Sequence, residues 1–280
     1  MQRSPRDCPY REHQEASTIS TFGAVRSLQR GLEVLQAINC NNGLRAAEVA
    51  RIVGIPRPTA YRLLETLEGL GFVVRGPSED AWRPTLQTKS LSSGFRDEDW
   101  VAQVAVPRMM KLGRKILWPL DLVTFHDYRM AIRESTHNIS PFSVDHGMVG
   151  RELPVLETAG GRAHLAFVPD QERAQIIEGL RERLGSDAVD FHDDGPLDYI
   201  LARTSELGVG FRIKGFNART MSISAPIYSG ERPIACLTMI WIGTALKFDE
   251  ALRLHRDALI STAASISDDL ARVAAEQSEE

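Results

Sequence analysis

The chain has 280 residues, 43% of them apolar and 25% charged, and a net charge of −4. That length suggests two domains of roughly 150 residues each, and the composition excludes a disordered or low-complexity protein. Three scattered cysteines, Cys8, Cys40 and Cys236, offer neither a disulfide framework nor zinc-like spacing, so a reducing, cytoplasmic setting is expected.

The charge is uneven: residues 1–90 hold 12 Lys/Arg against 9 Asp/Glu, whereas residues 91–280 hold 21 against 28. A mildly basic small domain joined to an acidic larger one suggests that the first meets a polyanion. Residues 1–21 are polar, mixed in charge and without the apolar core of a secretory signal, and read as a disordered tail. Ser27 then suits the N-cap of a helix whose Leu28, Leu32, Leu35 and Ile38 predict one buried face. Asn41, Asn42 and Gly43 end it, and a second helix is expected over 46–53 with Val49, Ala50 and Val53 inward. Gly54 stops that helix, and Pro56 and Pro58 set a third start, since proline is tolerated in a first turn.

In the third helix Ala60, Leu63, Leu64 and Leu67 form the inward stripe, leaving Thr59, Arg62, Glu65 and Thr66 outward and Tyr61 on the flank. Arg57 and Arg62 lie at its N-terminal end and the carboxylates further along. A helix entering the major groove by its N-terminal end needs that polarity. Residues 72–75 and 81–83 read as two strands around a turn. Three helices and a hairpin in that order make a winged helix-turn-helix over residues 22–84. Arg57, Thr59, Tyr61 and Arg62 are its candidate DNA contacts, with Arg75 on the wing for phosphate.

Residues 85–99, with Ser90, Ser92, Ser93 and Gly94, read as a linker, partly helical, leading to a domain over 100–276. Residues 100–117 have helical spacing interrupted by Pro107. LDLVTFHD and MAIREST predict a hairpin around Tyr128 and Arg129, and residues 170–179 and 197–207 read as helices. Strands are expected over 209–213, 221–228 and 233–242, the last two joined at Ser229-Gly230-Glu231-Arg232, and a helix over 249–274. In that last helix Leu252, Leu259, Ile266 and Val273 recur every seven residues, and packing on the domain's own sheet is expected ahead of a coiled coil. The run Pro233 to Leu246 is too short for a membrane-spanning helix, which needs about 20 residues. His126, His146 and His164 stand in no HExxH, Gly-x-Ser-x-Gly or CxxC context, so no enzyme, metal site or cofactor is expected.

The segments SLQRGLEVLQAI, AAEVARIVGIPRPTAYRLLETLEGLGFV and WRPTLQTKSL resemble the N-terminal domain of the IclR-type bacterial transcription regulators. PVLETAGGRAHLAF and MSISAPIYSGERPIACLTM resemble that family's effector-binding domain, and SLSSGFRDEDW with GFRIKGFN is similar to its branch responding to aromatic acids such as hydroxyphenylpropionates. One departure is Pro58, where the family carries a small hydroxyl residue before the threonine. The resemblance implies an α+β chain with a GAF-like effector domain, a homodimer or tetramer, double-stranded operator DNA as partner, and RNA polymerase among the partners the class allows. It also implies a small-molecule pocket. Its wall candidates are Met148, Leu153, Gly160, Gly161, Ser222, Cys236 and Thr238, each with an ordinary-core alternative. Arg212, whose planar fork matches a carboxylate, is the candidate partner of an aromatic acid, with a surface ion pair as the alternative. The expected function is an effector-controlled regulator of a catabolic operon. The alternatives are a protein-docking winged helix on a sensor domain and, behind it, an enzyme of the sensor-like fold.

Overall fold

A computed structural model describes residues 24–41, 43–76, 80–95, 97–184, 196–215 and 217–278. The tail expected over 1–21 lies outside these residues. The chain divides into two compact units: residues up to 96 with 145–147, and residues 97–144 with those from 148 onward.

In the first unit α1 (Arg26–Asn41), α2 (Ala46–Val53) and α3 (Arg57–Gly69) precede the antiparallel pair β1 (Val73–Arg75) and β2 (Trp82–Pro84). Leu44 and Trp82 exchange backbone hydrogen bonds of 3.0 and 2.8 Å, adding a third short segment to the wing. Local chemistry sets each boundary. The Arg45 amide donates to Glu48 Oε2 at 2.8 Å and holds the start of α2, and Gly54, at φ 74°, takes the left-handed conformation that closes it. Pro58 occupies the first turn of α3, where its missing N–H leaves no intrahelical gap. Val34, Leu35, Ile38, Val49, Ala60, Leu64 and Trp82 form the core.

The face of α1 differs from expectation. Leu35 and Ile38 are buried, but Leu28 is 62% and Leu32 52% exposed, so the apolar stripe continues past the end of the unit's own core. Ser27 lies inside the helix, which begins at Arg26.

A short helix, α4 (Leu86–Ser90), follows, capped by the Thr85 side chain, which accepts from the Gln87 amide. The second unit opens with a π turn, Val101–Ala105, running into α5 (Val106–Ile116). Pro107 therefore sits in the first turn of α5, and the wider turn before it accommodates the ring without ending the helix. A six-stranded antiparallel sheet follows, built from β3 (Leu120–His126), β4 (Arg129–Ser135), β5 (Glu152–Pro154), β6 (Gly210–Arg212), β7 (Thr220–Ser229) and β8 (Arg232–Ile242), in the order β5-β4-β3-β8-β7-β6. The helices between and after are α6 (Ala159–Phe167), α7 (Asp170–Leu184), α8 (Leu197–Leu207) and α9 (Phe248–Ser278).

Strand alternation gives the sheet two buried faces. Leu120, Leu122, Ile223, Leu237 and Met239 meet Met109 of α5 and Leu259, Ala263 and Ile266 of α9. Of the seven-residue repeat of α9, Leu259 and Ile266, with Leu252 partly buried, thus pack against its own sheet, whereas Val273 is exposed. Val123, Met130, Ile132 and Cys236 meet Ala163 and Leu165 of α6, Ile176 and Leu180 of α7 and Leu201 of α8.

Candidate functional site

The first candidate surface is the start of α3. Arg57, Pro58 and Arg62 are exposed, and Thr59 and Tyr61 are half-buried. The side chains of Arg57 and Arg62 have no hydrogen-bond or ion-pair partner among the described residues. No acidic side chain stands in that first turn. Two uncommitted guanidinium groups and a helix N-terminus thus face outward together, an arrangement suited to a phosphate backbone or a base edge.

Arg75 is differently placed. Its Nε donates to Asp80 Oδ1 at 2.6 Å and its Nη1 to the Tyr61 hydroxyl at 2.8 Å, with the guanidinium carbon 5.7 Å from the Tyr61 ring centroid and 5.8 Å from that of Trp82. The hydrogen bond to Asp80 raises its pKa further above the ordinary arginine value. Arg75 therefore ties the wing to α3 and brings Tyr61 with it, at the cost of freedom to reach phosphate.

The second candidate surface is the sheet face beneath α6. Thr158 caps this helix, its hydroxyl accepting from the Gly161 amide at 3.1 Å, and no acidic side chain occupies the first turn. Three glycines let α6 approach its surroundings. A Cβ on Gly160 would stand 2.7 Å from Val123 Cγ2 and 3.5 Å from Thr238 Oγ1, one on Gly161 would overlap the Val155 carbonyl, and one on Gly210 would overlap the α6 backbone. Arg162, 1% exposed, donates from Nε to the Leu156 carbonyl at 2.9 Å and from Nη1 to the Phe211 carbonyl at 2.8 Å, fixing the helix laterally.

Under that first turn runs a row of buried polar side chains. Ser135 pairs across strands with Asp121, Asp121 with Thr238, Thr238 with Ser224, and Ser224 with Gly210. Directly paired residues project to the same face, so four polar side chains line up across β4, β3, β8 and β7. Ser224 and Thr238 share a hydroxyl hydrogen bond of 2.8 Å. The adjacent row holds Arg212, Ser222 and Ile240.

The sequence-predicted pocket residues distribute as follows. Gly160, Gly161, Ser222, Cys236 and Thr238 are all buried on or against this face, and Met148 and Leu153, half-buried, pack on the same apolar cluster as Cys236. Burial pushes the Cys236 thiol up to about 12, which makes it an uncharged wall group and no nucleophile. Arg212 is 3% exposed. Its Nη1 donates to the Asn217 and Thr220 carbonyls at 2.9 and 2.6 Å, and its Nη2 to Thr220 Oγ1 at 2.8 Å. Its fork grips the protein's own β6–β7 connection. Sequence reasoning missed Asp121, Ser135, His137 and Ser224. An aspartate in the otherwise apolar run LDLV was the one available signal.

A separate open cleft of about 500 Å³ is lined by Phe125, Tyr128, Gln171, Glu172, Ile176 and Arg232, and contains none of the predicted residues. Behind Phe125, His164 stacks on its ring at 4.8 Å and is 5% exposed. Burial drives its pKa from 6.5 down to about 4, so it is neutral at pH 7. Because the unfolded chain binds this proton more readily, acid works against the fold. The contribution of the neutral imidazole is complete above about pH 6.5 and declines as pH falls towards 4, by an amount on the order of 3 kcal/mol. His164→Phe is expected to flatten the decline of Tm across that window, and a Tm profile identical to wild type would show that His164 does not set it.

Among the described residues no group of side chains has the makings of a metal site, and no helix is long and apolar enough to cross a membrane. Residues 27–77 match the IclR helix-turn-helix domain. The chain is 27% identical over 173 residues to the HTH-type transcriptional regulator TsaQ1/TsaQ2 of Comamonas testosteroni, an alignment covering 61% of this chain and 62% of that relative's length. The Thermotoga maritima IclR structure superposes with a TM-score of 0.59 at 18% identity, covering 89% of this chain and all of the other. An IclR homologue from Microbacterium hydrocarbonoxydans, solved with 4-hydroxybenzoate, gives 0.54 at 20%, covering 87% and 98%. The chain thus carries an N-terminal segment that matches the IclR helix-turn-helix domain, followed by an α/β domain with the fold seen in the Thermotoga maritima IclR structure.

Proposed function

We propose that the chain binds operator DNA through the N-terminal end of α3 and that a small carboxylic acid, aromatic in character, binding beneath α6 controls this activity in the regulation of a catabolic operon. The observation that carries the DNA reading is the uncommitted, outward pair Arg57 and Arg62 at the start of a helix whose inward stripe is buried. A protein-docking winged helix has no need of two free guanidinium groups at a helix N-terminus. The acid reading rests on the α6 first turn. No acidic side chain stands in it, Gly160 lies over the Thr238 hydroxyl, and apolar Met148 and Leu153 pack on the same cluster as Cys236. The 4-hydroxybenzoate complex of the Microbacterium homologue supports the same ligand class. In this reading Arg212 shapes the pocket wall and the helix amides take the carboxylate.

Fluorescence anisotropy with the DNA upstream of the chain's own gene, titrated with and without benzoates and phenylpropionates, tests both halves. Salt-sensitive, sequence-dependent binding that an acid alters is the expected result. Sequence-independent or absent binding would favour the docking alternative.

Operator recognition by one helix reads few base pairs, and we infer a homo-oligomer. Val25, Leu28 and Leu32, 64%, 62% and 52% exposed, supply an apolar stripe along α1 for a second copy. Light scattering should show a dimer or tetramer at micromolar concentration, and Leu28→Glu with Leu32→Glu should shift it towards monomer without lowering Tm. An unchanged mass would place the interface elsewhere.

A further inference from the structure

We propose that the open cleft between the β3–β4 turn and α7 is a second ligand site, separate from the sheet face beneath α6, and that it takes an uncharged nucleobase or nucleoside. This does not depend on the acid-binding reading given above.

The cleft, about 500 Å³, has the size of a small-molecule site. Its aromatic wall is built at a cost. Asp127 and Tyr128, the turn between β3 and β4, have φ of 45° and 61°, a left-handed conformation that asparagine and glycine adopt more readily. Arg183 of α7 holds this turn, its Nη2 donating to Asp127 Oδ1 at 2.7 Å and its guanidinium carbon lying 4.3 Å from the Tyr128 ring centroid. On the same helix Gly179 is buried, and a Cβ there would overlap the Tyr128 ring. A strained turn, a glycine inside a helix and an ion pair thus converge on the placement of one ring, and such strain collects where ligands are held. Phe125 stands across from Tyr128 with centroids 6.1 Å apart and planes at 79°, and it is braced from behind by His164.

The polar lining decides the ligand's charge. Each charged side chain of the cleft already has a partner of opposite sign: Asp127 has Arg183, and Glu172 has Arg232, whose Nε donates to it at 3.1 Å. The first turn of α7 carries Asp170 and Glu172, carboxylates standing where a phosphate would seek helix amides. An ionic ligand therefore meets no unanswered counter-charge. Gln171 and Gln175 differ. They lie one turn apart on α7, both line the cleft, and neither carboxamide has a hydrogen-bond partner among the described residues. A carboxamide presents a donor and an acceptor side by side, the pattern that pairs with the edge of a base. Aromatic rings supply the faces on which bases stack. A plain aromatic ring would use the wall and leave the carboxamides unmatched, whereas a sugar would use the carboxamides and leave the π faces unused. A nucleobase uses both.

Calorimetry and saturation-transfer NMR on the full chain test this with adenine, uracil, adenosine, uridine and AMP, beside ribose, phenol and benzoate. At least one free base should bind, ribose and phenol should not, and the phosphate of AMP should bring no gain over adenosine. Tyr128→Ala, and Gln171→Leu combined with Gln175→Leu, should each weaken the base ~5-fold or more. Benzoate should not compete with the base. No base binding at millimolar concentration, ribose or phenol binding as well as the base, or benzoate displacing it would each overturn the proposal. So would AMP binding ~10-fold tighter than adenosine, the mark of a charge-assisted contact, or a base affinity unmoved by the glutamine substitutions. Gln171 and Gln175 are exposed on α7, so the double variant leaves the core untouched. Should Tyr128→Ala not fold, the ring-proton signals of Tyr128 in the wild-type chain decide: they should shift with the base, and signals that stay in place overturn the proposal.

Discussion

Arg62→Ala is expected to weaken operator binding by ~5- to 150-fold, equivalent to ~1–3 kcal/mol, and to relax preference at one base pair while leaving the rest of the site's specificity intact. Arg62 lies outward in the second turn of α3, on a helix fixed from behind by fully buried Ala60 and Leu64. Its side chain has no competing carboxylate among the described residues, so binding DNA breaks no existing ion pair. Arg57, at the helix start, is the expected phosphate contact, and Arg57→Ala should weaken all sequences alike and reduce the salt slope by about one. The two arginines are thus separable by experiment: one changes which sequence is preferred, the other changes how tightly any sequence is held. Wild-type operator affinity in a folded Arg62→Ala protein would remove that residue from the interface. Arg75 provides the contrast, because Asp80 and Tyr61 already occupy its guanidinium. Its replacement should act through displacement of the wing.

Much of this architecture is legible in the sequence because its signals are local. Gly54, Pro56 and Pro58 punctuate the helix-turn-helix, and the Ser229-Gly230 turn joins β7 to β8, so each boundary follows from residues a few positions apart. Where the reading failed, the deciding partner was distant or absent. The stripe Leu28, Leu32, Leu35 and Ile38 is a correct helical pattern, but periodicity does not distinguish a face that meets the domain's own core from one left for another surface, and α1 uses both. The strand β5, Glu152–Pro154, shows no alternation and exists because Arg129 to Ala131 pair with it. On the sheet face beneath α6, the glycines and hydroxyls were singled out through resemblance, whereas Asp121 meets Thr238 only through the register of β3 on β8, more than a hundred residues away in the chain. Arg212 was singled out because its residue type suits a carboxylate; in the structure its guanidinium donates to the Asn217 and Thr220 carbonyls, partners that its residue type does not foretell.

The largest effect on stability is expected at Gly161. In an exposed helix, replacing glycine with alanine gains up to about 1 kcal/mol, because the unfolded chain loses more freedom with glycine. Gly31 in α1 has no atom within 4 Å of where its Cβ would stand, so Gly31→Ala should follow that rule and raise Tm slightly. At Gly161 the sign reverses. The added carbon would overlap the carbonyl of Val155, whose Cα and carbonyl carbon crowd the same position, and these are backbone atoms that no rotamer change can move aside. Gly210 of β6 also lies against the backbone of Ala159 and Ala163, which leaves α6 little room to shift. Relief therefore requires α6 to tilt away from the 155 segment, pulling Thr158 from its cap on the Gly161 amide and Arg162 from the Leu156 and Phe211 carbonyls. Overpacking of this kind costs ~1–3 kcal/mol and sometimes more, and the Thr158 cap and the Arg162 hydrogen bonds at risk place Gly161→Ala at the upper end. For a domain of this size ~3 kcal/mol lowers Tm by about 6–12 °C. The same tilt moves the first turn of α6 off Thr238, so acid binding should weaken together with stability, whereas Gly31→Ala should leave it unchanged. A Gly161→Ala protein that melts at or above the wild-type temperature would mean that α6 does not pack this closely on the sheet, and the ligand face built on that approach would have to be redrawn.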